Sequence, residues 1–335
     1  MNFPADREKS GDDLHLSRTL VFRRMPEPLS SESYRRWFYS RWGRDNAIVN
    51  ARTRLAEYPT FTQTPSIKCA RYGVEHYLFA RRRVAVDDSA YLMLNAGEYG
   101  SSIRASKEVQ SFTIFFAPRL IHDVRAGLTA NPDALLADPA SASRAVSAIH
   151  FGEHLRPHDD VVSPLLRRVE AESRLGCVDD DWYEEQFTAL LRAMMLAEGE
   201  TRRAIARLPA IKDSTRREMF RRLSLARDYL HENYRRDVSN PQLAREACLS
   251  PFHLINFFKA AFGQSPHQYL IRLRIEAAMR LLALGHTSVL EVAEAVGFAD
   301  RTSFFRNFRR RVGVSPRAFL HTRRNAAATP FETLQ

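Results

Sequence analysis

Between Leu55 and about Val124 the chain is dense in Val, Ile, Phe and Tyr. Asp87-Asp88-Ser89 and Ala96-Gly97-Glu98 interrupt it at short intervals with turn-forming residues. Such runs, for example "SIKCARYGVEHYLFA" and "EVQSFTIFFAP", predict strands of a small antiparallel sandwich or barrel. From about Pro157 the spacing lengthens. In "VVSPLLRRVEAESRLG" and "WYEEQFTALLRAMMLAEGETRRAIARL" the apolar positions Phe187, Leu190, Leu191, Met194 and Met195 recur at three and four residues, the period of a helix with one buried face. Gly176 to Asp181 is the expected turn between these helices. The pair can pack on the barrel or on a second copy of itself. "LPAIKDS", with Pro209, reads as a linker.

Beyond the linker the pattern is helical almost throughout. Thr215 and Glu218 stand three apart as a capping box before a helix expected to run to about Tyr234 on the stripe Phe220, Leu223, Ala226, Leu230 and Tyr234. Asn240-Pro241 opens a short helix carrying Leu243, Ala244 and Ala247, which breaks near Cys248. Ser250-Pro251 starts another, striped by Leu254, Phe258 and Phe262 and stopped by Gly263. The same order returns fifty residues later: Val292 and Ala293, a turn at Gly297, Asp300 as N-cap, then Phe304, Phe308 and Val312. Each copy closes on one octapeptide form, "GQSPHQYL" from Gly263 and "GVSPRAFL" from Gly313, in which Gly ends one helix and Ser-Pro begins the next. Two short helices joined by a tight turn, the second apolar on one side only, form a helix-turn-helix. The helix expected from Pro266 to about Leu284 would separate the copies by roughly 28 Å at 1.5 Å per residue. Successive major-groove faces of B-DNA lie about 34 Å apart, so two such units suit two adjacent grooves.

Charge sharpens this picture. The 335-residue chain carries a net charge of +11, and residues 212–324 hold 21 Lys and Arg against 10 Asp and Glu, so the whole excess lies in the C-terminal third. That is the footprint of a polyanion-binding surface. The opening "MNFPADREKSGDD" is too polar for a signal peptide, and no stretch approaches eighteen apolar residues. Cys69, Cys177 and Cys248 are scattered without C-x-x-C spacing. A cytoplasmic protein with no membrane association is expected. Cys248 itself is expected to be a small buried residue.

From about Leu223 to Leu320, "LAREACLSPFHLINFFKAAFGQSPHQYLIRLRIEAAMRLL" and "EVAEAVGFADRTSFFRNFRRRVGVSPRAFL" resemble the DNA-binding domain of the AraC/XylS family of bacterial transcription regulators. "LMLNAGEYGSS" and "VQSFTIFFAP" resemble that family's cupin-like effector domain. The resemblance implies an α+β protein: a cupin-like β-barrel for effector sensing at 14–156, a helical dimerisation segment at 157–208, a linker at 209–214 and an all-α tandem helix-turn-helix domain at 215–322. It implies base reading by Phe252, Ile255 and Asn256 from the first recognition helix and by Arg301, Thr302 and Arg306 from the second. Arginine can bond guanine O6 and N7, and asparagine adenine N6 and N7. Lys259, Arg309, Arg310 and Arg317 suit phosphate contacts, which orient without specifying. Where this chain has Asn256 the family commonly has Arg, and where it has Cys248 the family commonly has Gly. Double-stranded DNA, RNA polymerase, a small-molecule effector and a second copy of the chain are the implied partners. No cofactor is implied.

The alternative is a cupin-type metal enzyme with a basic tail. Cupin centres resemble H-x-H with a following Glu and a later His, whereas here His76 stands alone before Glu98 and His122. "HFGEH", His150 to His154, matches the H-x-x-E-H zinc-protease spacing, but Gly152 and the nearby Pro157 argue against the helix that spacing requires. His158 and Asp159 lie close by as further potential ligands.

Overall fold

The computed structural model describes residues 19–24, 32–33, 46–79, 82–129, 150–176, 178–210, 212–284 and 288–328; the polar N-terminal stretch and Cys177 lie outside them. Strands β1 (Leu20–Phe22), β2 (Ala47–Gln63), β3 (Ser66–Arg71), β4 (Glu75–Phe79), β5 (Arg82–Val86), β6 (Ala90–Leu94), β7 (Gly97–Phe115) and β8 (Leu155–Pro157) form one sheet. Its main path runs β1-β2-β7-β3-β6-β8, with β4 joining β7 to β5. β2 and β7 pair antiparallel along nearly their whole length, slipping register between Thr53 and Leu55 and again between Tyr58 and Phe61. The far edge of β7 is shared, Gln110–Phe115 pairing with β3 and Gly100–Ser102 with β4. A strand divided this way bends the sheet around an inner cluster that includes Tyr58, Tyr77, Val86, Leu92, Leu94 and Ile103.

Side chains alternate across the pleat. In β6, Leu92 and Leu94 enter the inner cluster while Tyr91 and Met93 point outward. That outer face is covered by helices α1 (Pro118–Thr129), α2 (Ser163–Leu175) and α3 (Asp180–Ala206), whose Val124, Leu166, Val169, Phe187, Leu190 and Met194 join Phe112, Ile114 and Phe116 in a second core. Gly176 at φ 69° ends α2, and Asp179 caps α3 by accepting from Trp182 N at 2.9 Å. Buried Glu170 pins α2 to the sheet through Arg71 at 3.2 Å and Gln110 at 3.1 Å.

The C-terminal helices are α4 (Asp213–Asn233), α5 (Asn240–Glu246), α6 (Pro251–Phe262), α7 (Pro266–Leu284), α8 (Val289–Ala295), α9 (Arg301–Val312) and α10 (Pro316–Ala328). They enclose a third core that includes Leu223, Leu230, Phe258, Tyr269, Ile275, Phe304 and Phe308. Polar groups dock this domain on the first. Asp228 of α4 pairs with Arg82 and accepts from Leu155 N at 3.2 Å. His231 lies between Ser89 Oγ at 3.0 Å and Tyr269 Oη at 2.9 Å, and Arg272 pairs with Asp159.

Four expectations are corrected. The cupin-like barrel does not close among the described residues: the path ends at three-residue strands β1 and β8, and β1 pairs parallel with β2, so the sheet is open and mixed. The continuous run of strands begins at Ala47 rather than Leu55, with the short β1 before it, and ends at Phe115, because Pro118 opens a helix; only β8 follows. The Thr215–Glu218 capping box is not formed. The helix starts earlier, behind Lys212, and Glu218 is held by Arg221 and Arg222 at 2.7 and 2.9 Å, which drives its carboxyl down to about 2. Cys248 is exposed, at a turn where its backbone takes a positive φ of 51°.

Candidate nucleic-acid interface

The first module is α5, a turn and α6. Ser239 caps α5 through Gln242 N at 3.3 Å, and Ser250 caps α6 through His253 N at 3.2 Å. Leu254, Phe258 and Ala261 turn inward, leaving Phe252 (71% exposed), Ile255, Asn256 and Lys259 on the outer face. The second module is α8, a turn and α9. Ser288 and Glu291 form a reciprocal capping box, and Asp300 accepts from Thr302 N at 3.0 Å and Ser303 N at 2.7 Å. Phe304 and Phe308 are buried, and Arg301, Thr302, Arg306, Arg309 and Arg310 are exposed.

The two turns are built alike. Cys248 N donates to Arg245 O at 3.0 Å and Leu249 N to Ala244 O at 2.9 Å; Gly297 N donates to Glu294 O at 2.9 Å and Phe298 N to Ala293 O at 3.0 Å. The residues at the bend, Cys248 at φ 51° and Gly297 at φ 90°, both take left-handed backbone. The corners repeat as well. Ser265 Oγ accepts from Gln268 N at 3.3 Å and Ser315 Oγ from Ala318 N at 3.2 Å, while Phe258 meets Tyr269 edge-on at 5.6 Å and Phe308 meets Phe319 at 5.8 Å. Arg317, in the first turn of α10, is exposed.

Relative placement of the modules is set by buried backbone contacts. Strut α7 is nineteen residues long, as its spacing predicts. From it Arg274 donates to Tyr234 O at 2.8 Å and Arg236 O at 2.7 Å, binding the loop before α5. Gly297 of the second module packs on the same loop so closely that a Cβ there would lie 2.6 Å from Arg235 O. One loop of the first module is thus clamped by both the strut and the turn of the second.

Not every C-terminal cation faces solvent. Arg227, Arg272 and Arg274 are buried, so the charge count overstates the surface available to a polyanion. Burial pushes Arg227 and Arg274 below the usual guanidinium range. Sequence reasoning also passed over Asn307, whose buried amide donates to Ser303 O at 2.8 Å and accepts from Arg310 at 2.6 Å, fixing one exposed guanidinium. His253, stacked on Phe257 at 5.2 Å between ring centroids, adds an exposed ring beside Phe252.

Two residues of the enzyme alternative, Glu153 and His154, are engaged in hydrogen bonds and packing. Glu153 accepts from Tyr99 Oη at 2.6 Å and Asn95 N at 3.1 Å, and His154 is buried edge-on to Phe220 at 5.7 Å. His76, Glu98 and His122 lie on β4, β7 and α1. Among the described residues no three His, Cys, Asp or Glu side chains gather as a metal site, and no helix is long and apolar enough to cross a membrane.

Two helix-turn-helix units on one core, with aromatic, amide and cationic side chains on their outer faces, define a DNA-binding architecture. Residues 243–322 match the helix-turn-helix domain family, and this C-terminal region is a helix-turn-helix domain of the AraC family. The chain is 33% identical over 125 residues to the MmsAB operon regulatory protein of Pseudomonas aeruginosa, covering 37% of this chain and 40% of that protein. It is 40% identical over 75 residues to an HTH-type transcriptional regulator of Mycobacterium tuberculosis, covering 22% and 29%. The chain thus spans well under half the length of these curated relatives. Among solved structures it is similar to the DNA-binding domain of AdpA in complex with a target DNA, at 30% identity over 32% of this chain and 97% of that one, with a TM-score of 0.31.

Proposed function

We propose that the protein is a cytoplasmic, sequence-specific transcription regulator that binds promoter DNA with both recognition helices in adjacent major grooves. The observation carrying this reading is the pair of like-built modules, each with its apolar stripe buried and a polar, cationic face exposed. Arg301 and Arg306 are assigned to guanine, Asn256 to adenine, and Phe252, Ile255 and Thr302 to thymine methyls or neighbouring base edges. Lys259, Arg309, Arg310 and Arg317 hold phosphates, with Arg310 pre-set by Asn307. The relatives' names, an operon regulatory protein and a transcriptional regulator, support the same role.

The open sheet, read as a cupin-like sensing unit, would receive a small-molecule effector. The outer faces of α2 and α3, where Leu175 and Leu196 are exposed, would join two copies into a homodimer. RNA polymerase is the partner through which DNA binding would alter transcription. Selection by the full-length protein from a random duplex library tests the central assignment. Enrichment of one bipartite motif per half, its two parts centred about 10 base pairs apart, is expected. Recovery of unenriched sequence, with binding that depends on salt alone, would refute sequence-specific reading.

A further inference from the structure

A cavity of about 440 Å³ lies between the two domains. Five arginines line it: Arg156 from β8, Arg203 and Arg207 from the end of α3, Arg227 from α4 and Arg272 from α7. Of its three carboxylates, Asp159 is taken by Arg272, and Asp160 is spent on Tyr91, Ser163 and the first amides of α2. Glu200 is exposed at the rim. His154 is held neutral by burial and by the neighbouring guanidiniums, so it adds nothing to either side of the balance.

The buried cations are incompletely satisfied. Arg227 is 7% exposed, and among the described residues its Nε and Nη2 have no hydrogen-bond partner. Those atoms form one edge of the guanidinium, the edge that grips a carboxylate or phosphate through two parallel hydrogen bonds. Arg156 is paired with Glu198 at 2.9 Å, and Arg272 with Asp159 and, at 3.7 Å, Glu276, but among the described residues the Nε of each is unpartnered as well. The groups are rigidly backed, with Arg227 lying over the Phe262 ring at 4.8 Å and Arg272 over Tyr269 at 4.5 Å. A buried guanidinium without an anion is costly, and an entering oxyanion removes that cost. The cavity inside the sheet, beside Lys68, Glu75 and Tyr77, is only about 30 Å³, room for a water or two.

We propose that the interdomain cavity binds a compact small molecule bearing a carboxylate or phosphate group, with the Arg227 edge turned onto that group and Arg156 and Arg272 flanking it. Because the three arginines come from both domains, the ligand cross-links the sheet domain to the DNA-binding domain and stabilises their docked arrangement. The binding stands on the cavity alone; its regulatory consequence rests on the function proposed above.

The test is calorimetric titration of the full-length protein with inorganic phosphate and, separately, with succinate, both at an ionic strength fixed by chloride. Saturable one-to-one binding is expected for at least one of them, the successful probe identifying the anion class. Arg227→Met should weaken it by about tenfold or more, a loss of about 1.4 kcal/mol. Arg227→Lys, which keeps the charge and loses the two-donor edge, should do the same. Arg104→Met, on the exposed face of β7, should leave it unchanged. Failure of both anions to bind wild-type protein beyond chloride overturns the proposal even if no variant folds, and so does binding indifferent to both Arg227 changes. DNA binding is measured on the same samples. Anion binding without DNA binding counts against the proposed function alone, and the reverse counts against this site alone.

Discussion

Gly297 offers a sharp perturbation because its equivalent in the first module, Cys248, is not glycine. Replacing Gly297 by Ala puts a Cβ 2.6 Å from Arg235 O and 2.8 Å from Arg235 C, both backbone atoms of the clamped loop. Left-handed backbone costs an L-residue about 1–2 kcal/mol, and overpacking against a fixed neighbour costs about 1–3 kcal/mol more. Gly297→Ala should therefore destabilise the C-terminal domain by about 2–5 kcal/mol. At the matching bend Cys248 is exposed and already pays the left-handed cost, so Cys248→Gly should be neutral or stabilising by up to about 1 kcal/mol. Urea unfolding of the full-length protein, followed by far-UV circular dichroism, reads both changes. The reasoning about the clamp fails if Gly297→Ala shifts stability by less than about 0.5 kcal/mol, or if Cys248→Gly destabilises the protein to the same degree.

Arg306→Ala should lower affinity for the selected site by about 1–3 kcal/mol and relax preference at one base pair; a repeat of the library selection with unchanged preference would remove Arg306 from base reading. Lys259→Ala should weaken binding to all sequences alike and reduce the slope of log affinity against log salt by about one, and a sequence-dependent loss would contradict its assignment to phosphate. Acid should loosen the domain junction. Burial lowers the imidazoles of His154 and His231 far below their ordinary value and His158 to about 3, so the stability they contribute is intact above about pH 6.5 and declines as pH falls below it. Each group loses about 1.4 kcal/mol per pH unit there, and the raised carboxyls of Asp228 and Glu276 oppose part of the loss. A net fall of about 2–4 kcal/mol in unfolding free energy between pH 7.5 and 5.5 is expected, and a flat profile would show that these rings are not held neutral.

The tandem modules were legible because each signal is local. Ser250, Asp300, Gly263 and Gly313 are caps read within four residues, and Leu254, Phe258, Phe304 and Phe308 are stripes read within one helix. What escaped depends on distant partners. The first part of β2 is a strand because β7 pairs with it fifty to seventy residues away, and "NARTR" alone has little of the apolar alternation that would announce it. Arg274 looks like surface charge until its acceptors, Tyr234 O and Arg236 O, are seen forty residues upstream. Arg82 and Asp228 are 146 positions apart, and no periodicity links them. Glu218 fits a capping box by spacing alone, but Arg221 and Arg222 are nearer competitors for its carboxylate.

Hydroxyl-radical footprinting of the full-length protein on one selected half-site tests the central claim most directly. If two recognition helices held apart by α7 read one side of a duplex, each chain should protect two patches centred about 10 base pairs apart on the same face. A single patch, or two patches on opposite faces, would contradict the paired-module account.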